Sequence, residues 1–286
     1  MKPRFLLAAL LLSATATPAF SHTPYLAPAN FDPVSGGLVT LDAAFAEEFF
    51  VPEVVFDNSE FQVINPDGKA VPADTVHRLK TRAVAEHKLA AGKGTYRFST
   101  GPRLGAIFRT WELDGKQETT RDPAKVLPPG AKLLTHYQSL SVSEAYITDG
   151  APSQAALKPY GKGLELVPTT HPSDLYAGEK FEFTVLYDGK PLPGQKVEFF
   201  PATGGRDSQI ATATLTTDAQ GKAVFALDKA GQYLALIRYR GKAPEGAAAP
   251  VYGYNYTLTL RVLEHRCTQS TNHTQPRGTL RWAKPH

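Results

Sequence analysis

The chain has 286 residues, 42% of them hydrophobic and 20% charged, a balance that excludes a disordered or collagen-like protein and suits one large domain or two of ordinary size. Its formal charge of +4 sits at the ends. Without Lys2, Arg4 and the acid-free segment 265–286, residues 22–264 hold 25 basic against 27 acidic side chains, which argues against nucleic acid as a partner.

Lys2 and Arg4 precede an apolar run over residues 5–12 and then small residues, the three-part pattern of a secretory signal peptide. The run is too short to span a bilayer and no second long one follows, so a periplasmic, non-membrane-spanning product is expected. No Cys stands just after the run, which disfavours a lipid anchor. Ala19-Phe20-Ser21 fits the small-residue rule for cleavage and would leave His22 first; Ala14-Thr15-Ala16 and Thr17-Pro18-Ala19 fit it too. A first-residue His offers an α-amine and an imidazole nitrogen together, a chelate for nickel, cobalt, copper or zinc. The plainer alternative is an idle His on a flexible terminus.

Beyond the leader, strands are predicted nearly everywhere. Residues 37–45, 60–64, 95–100 and 107–113 alternate or run apolar between Gly, Pro, Asn and Asp. Asp67-Gly68, Asp114-Gly115 and Asp188-Gly189 are turn signals. Helical character is weak and confined to residues 43–49 and 153–157. Residues 133–148 read as one long strand or two joined by a bulge. A connector follows over residues 149–162. Phe181, Phe183, Val185 and Tyr187 then alternate cleanly, and strands at 164–168, 195–200, 224–227, 231–240 and 252–263 complete an immunoglobulin-like pattern. The fold expected is all-β: a signal peptide (1–21), an N-terminal β-sandwich (22–160), an Ig-like β-sandwich (161–264) and a disordered tail (265–286).

The leader, the stretch His22-Thr23-Pro24-Tyr25-Leu26, and the run Gly163-Leu164-Glu165-Leu166-Val167-Pro168 leading through Asp174 and Gly178 to Leu186-Tyr187-Asp188-Gly189-Lys190-Pro191-Leu192 resemble one family. It is the family of exported bacterial proteins that share a domain of unknown function and are linked to nickel and cobalt uptake systems as a periplasmic component. The resemblance covers most of residues 22–264 and implies metal handling in the periplasm, with membrane metal transporter components as partners.

The eight histidines include no H-x-x-x-H pair, so ligands must converge from separate strands and loops. The expected metal shell is His22 completed by His136, His171, His87 or Glu144. His77 and His87 flank a turn and would face each other in one hairpin register, whereas a one-residue slip would pair His77 with Glu86. His136 and Glu144 are evenly spaced on one predicted strand and hence on one face. His171 lies in a loop at the domain junction. Glu47 and Glu48 stand beside Phe49 and Phe50, whose rings are expected to pack, and rank as reserve ligands. Cys267 in the tail has no expected role; as the only Cys it excludes an internal disulfide.

No nucleophile elbow, P-loop or dinucleotide fingerprint is present, so a non-enzymatic role is expected. The leading expectation is a periplasmic protein that binds a divalent transition metal, nickel or cobalt before copper or zinc, and serves its uptake. Two alternatives stand beside it. One is a histidine-brace copper oxidase of polysaccharides, in which His22 and a second His hold copper. The other is a metal-free adhesion or carbohydrate-binding module using Tyr252, Tyr254 and Tyr256.

Overall fold

The computed structural model describes residues 22–203 and 209–264; the expected signal peptide and tail lie outside the described residues. The first part of the chain supplies β1 (Thr23–Pro28), β2 (Leu38–Ala46), β3 (Val54–Val55), β4 (Gln62–Ile64), β5 (Ala70–Pro72), β6 (Thr75–Arg78), β7 (Ala83–Lys88), β8 (Gly94–Ser99), β9 (Arg103–Leu113), β10 (Lys116–Thr120) and β11 (Lys132–Asp149). A 3-10 turn, Ala155–Leu157, takes up one of the two weakly helical stretches; the other becomes the end of β2 and the loop after it. The second part supplies β12 (Leu164–Pro168), β13 (Lys180–Tyr187), β14 (Lys190–Pro191), β15 (Lys196–Pro201), β16 (Ala213–Thr216), β17 (Lys222–Ala226), β18 (Gly231–Lys242) and β19 (Val251–Val262).

These strands form three sheets. One holds β1, β2, β3, β6 and β7; another holds β12, β13, β14 and β17. The third is ten-stranded and runs β16-β15-β18-β19-β11-β8-β4-β5, with β9 and β10 attached through β11. It passes from one half of the chain into the other through the parallel pairing of β11 with β19. Each smaller sheet covers one end of it. The protein is therefore all-β with sandwich-like sheets, and the largest sheet runs through both halves of the chain.

The cores follow from period-2 patterning. In β13, Phe181, Phe183 and Val185 point inward against Val197, Phe199 and Phe225, while Glu182 faces out. Burying each such side chain contributes about 1.5–3 kcal/mol before entropy is counted. The other core packs Leu26, Leu41, Phe56, Val63, Phe98 and Ile147. Asp114-Gly115 and Asp188-Gly189 have positive φ at both positions, as two-residue hairpin turns require, and they join β9 to β10 and β13 to β14. Residues 133–148 are one strand after all, with register shifts against β9 between Leu133 and Thr135 and between Gln138 and Leu140.

A third cluster lies where the halves meet. Tyr25, Ala27, Ala44, Ala46 and Phe49 pack on Leu234 of β18. This cluster fixes the start of β1 and the loop after β2 against the second half of the chain.

Candidate metal centre

The start of β1 lies beside the end of β2. Antiparallel pairing sets Thr23 opposite Ala46, and one further step sets His22 opposite Glu47. The chain then folds back sharply. Phe49 is 3% exposed and meets Phe200 edge-on at 5.6 Å, while Phe50 lies 4.8 Å from the Tyr25 ring. With both rings turned inward, β3 returns alongside β2 and the Glu53 N–H donates to the Phe45 carbonyl at 3.2 Å. Glu53 thereby reaches the His22 side of the loop.

His22 Nε2 is 2.9 Å from Glu53 Oε2, and the Glu47 backbone N–H donates to Glu53 Oε1 at 2.7 Å. One ligand atom from each of His22, Glu47 and Glu53 lies within 4.8 Å of the others, and among the described residues this is the set of three potential metal ligands that comes together. The side chains of His22 and Glu53 are 43% and 36% exposed, so an ion can enter and ligands can exchange without unfolding the loop. An imidazole nitrogen with carboxylate oxygens suits borderline divalent ions.

The remaining expected ligands lie elsewhere. Glu144 on β11 is 1% exposed. Its two oxygens accept from the Tyr160 hydroxyl at 2.7 Å and the Tyr256 hydroxyl at 2.6 Å. Arg97, 2% exposed, donates to the Lys158 carbonyl and lies 3.8 Å over the Tyr160 ring, close enough for its charge to balance that of Glu144. Desolvation and the neighbouring carboxylate push the hydroxyls of Tyr160 and Tyr256 far above the usual tyrosine range. His136 shares β11 with Glu144, but eight residues of strand put them about 26 Å apart, too far for one ion.

His171 is locked in one tautomer. The Ser173 N–H donates to its Nδ1, so Nε2 carries the proton and donates to the Ser153 carbonyl at 3.1 Å. Burial lowers its pKa below the ordinary imidazole value. With both nitrogens engaged, it has no lone pair to spare.

His87 and His77 do not face each other. Arg78 pairs with Ala83 around a four-residue loop, which sets His77 opposite Val84 and not opposite His87 or Glu86. The same register carries Asp74 to His87, whose Nδ1 lies 3.1 Å from Asp74 Oδ1 with Tyr96 and Phe98 edge-on to the ring. His22 is thus the one expected ligand in the cluster. Glu47 joins it from reserve, and Glu53 was not anticipated. Extending the β1–β2 pairing by one residue would have found Glu47; nothing local marks Glu53.

Among the described residues, no helix is long and apolar enough to cross a membrane. Residues 19–241 match a family described as a domain of unknown function, DUF4198. No curated protein matches the chain. Among solved structures, the D0–D1 domain of intimin is similar at 13% identity, covering 82% of this chain and 97% of its own, with a TM-score of 0.22. A two-domain fibronectin type III segment of chicken tenascin is 13% identical over 83% of this chain and 98% of its own, with a TM-score of 0.22. An Escherichia coli alpha-2-macroglobulin fragment spanning domains NIE–MG1 is 11% identical over 77% and 95%, with a TM-score of 0.21.

Proposed function

For this chain, which belongs to the DUF4198 family of unknown function, we propose a periplasmic metal-binding role: capture of nickel, cobalt or a similar divalent ion and its delivery to a membrane transporter. One observation carries this reading. The residue left first by cleavage after Ser21 meets Glu47 and Glu53, with one donor atom from each inside 4.8 Å.

Cleavage there would add an α-amine that chelates together with Nδ1 of the same residue; turning the ring, whose Nε2 now faces Glu53, would bring both nitrogens and the two carboxylates to one ion. Nitrogen donors bring selectivity for nickel, cobalt, copper and zinc over magnesium and calcium. The exposure of His22 and Glu53 favours release, as a carrier handing its ion to a transporter requires. A histidine brace needs a second imidazole, whereas the neighbours of His22 in the cluster are carboxylates, so divalent-ion binding is the better supported chemistry.

The test is calorimetric titration of exported, processed protein with Ni²⁺, Co²⁺, Zn²⁺ and Cu²⁺, its N-terminus verified by intact mass. A second form carries one extra Ala before His22. One ion per chain is expected for the processed form, with affinity at least about tenfold weaker for the extended one, since moving the amine removes a chelate ring. Equal binding by both forms would transfer the site to internal residues. Absence of binding would end the reading.

A further inference from the structure

The parallel step between β11 and β19 also forms the floor of a cavity of about 670 Å³. That volume is typical of pockets that enclose a small organic molecule. Leu140 pairs with Tyr254 and Val142 with Tyr256, so the four side chains project from the same face. Tyr256 is core, 2% exposed, whereas Tyr252 and Tyr254 are half-buried and form a wall. Tyr187 continues that wall, 5.6 Å from Tyr254 and nearly perpendicular to it. The Tyr187 ring crosses Gly241, where any Cβ would collide with its hydroxyl, so glycine keeps the wall in place.

The polar groups are distributed unevenly. Lys162 and Lys242 line the cavity and stay exposed. The one lining acid, Asp188, accepts the Gly163 N–H at 2.8 Å. Glu144 beneath the floor is satisfied by Tyr160 and Tyr256. Gln62, Ser99 and the tyrosine hydroxyls are the neutral polar groups of the lining, while its aromatic faces and two ammonium groups favour something flat and negatively charged.

We propose that this cavity is a binding site for a small aromatic anion, its ring against Tyr187, Tyr252 and Tyr254 and its carboxylate or sulfonate at Lys162 and Lys242. The aromatic walls supply affinity through ring packing and burial of apolar area. The lysines, in solvent, supply charge selectivity and modest energy. Leu104, 48% exposed at the mouth, is apolar surface that a bound ring would cover. The site is independent of His22 and of any metal.

The probes are 2-naphthoate, neutral 2-naphthalenemethanol and cationic 2-naphthylmethylammonium, each titrated into processed protein by calorimetry with EDTA present. Naphthoate is expected to bind one per chain, about fivefold tighter than the alcohol, as two exposed charge pairs allow. The cation is expected to bind weakest. Lys162→Glu/Lys242→Glu should reverse the order of anion and cation, and Leu104→Asp should abolish naphthoate binding with the melting temperature retained in both. Three equal affinities, no saturable binding, or a lysine variant with the original order would each overturn the proposal. Because EDTA is present, failure here leaves the metal site untouched, and failure of the metal titration leaves this one.

Discussion

Glu144, where β11 meets β19, and Glu53, in the loop between β2 and β3, are both carboxylates, and they have opposite circumstances. Glu144 lies beneath the sheet with two tyrosine hydroxyls on its oxygens and Arg97 nearby. Glu53 lies at the surface with one oxygen on a backbone N–H and the other on an imidazole that is itself exposed. A buried carboxylate persists when its oxygens are hydrogen-bonded and its charge is balanced, which leaves it little to offer a ligand. An exposed one beside a His is held loosely and can trade its partner for an ion. Engagement, and not residue type, separates the structural acid from the candidate ligand.

The largest effect expected from breaking this contrast is at Glu144. Glu144→Leu leaves the Arg97 cation buried and uncompensated and strips two tyrosine hydroxyls of their acceptor. A loss of about 3–5 kcal/mol is expected in urea unfolding. Adding Arg97→Met should recover part of it, because removing both charges costs less than orphaning one. Metal affinity should not change, and a large drop would make Glu144 a ligand after all.

Phe49→Ala comes next. It empties the slot against Phe200 and Leu234 at the junction, at a cost of about 3 kcal/mol or more. Because Phe49 folds the loop that brings Glu53 to His22, the variant should also weaken nickel binding, measured by the same calorimetric titration. Unchanged affinity would mean that the loop holds its shape without its anchor.

How far these regions could be read from the sequence follows from how local their causes are. The inward face of β13 was legible because alternation of Phe181, Phe183 and Val185 states both strand and face. The Asp-Gly pairs were legible because few residues tolerate positive φ. The pairing of β11 with β19 was not, since it joins segments more than a hundred residues apart and no local pattern encodes parallel partners. Even spacing put His136 and Glu144 on one face but said nothing of the distance along it. The hairpin containing His77 depended on a loop length that Lys80-Thr81-Arg82 leaves open. His22 was visible through leader chemistry; Glu53 reaches it only through packing of Phe49 and Phe50.

Glu53→Gln is the direct test of the exposed half of the contrast. Gln preserves the size of the side chain and its acceptor for the Glu47 N–H, and removes the charge facing His22. Stability should move by less than about 0.5 kcal/mol, the usual range for a surface pair. Nickel affinity should fall about tenfold or more, since a neutral amide oxygen is a poorer ligand for a divalent cation. Equal affinity would leave Glu47 and the amine as the only partners of His22.

The smallest effect concerns His171, a histidine engaged like Glu144 and not exposed like His22. Desolvation lowers its pKa from 6.5 in the folded chain, outweighing its bond to Ser153 and the nearby Asp174, which act the other way. Well above pH 6.5 the ring is neutral folded and unfolded, and it contributes no pH dependence. Below it the unfolded chain takes a proton that the folded chain resists, so stability falls with pH until the folded ring is protonated as well. Glu165 acts in the opposite sense: burial raises its pKa, so its contribution to stability declines as pH rises above the ordinary value of 4.5. Subtraction isolates the histidine. Urea unfolding at pH 5–7.5 should show wild-type stability dropping faster on acidification than that of His171→Gln, with the two curves becoming parallel towards pH 7.5. Parallel curves throughout would mean that His171 already shares its ring with solvent, and its engagement would then no longer set it apart from His22.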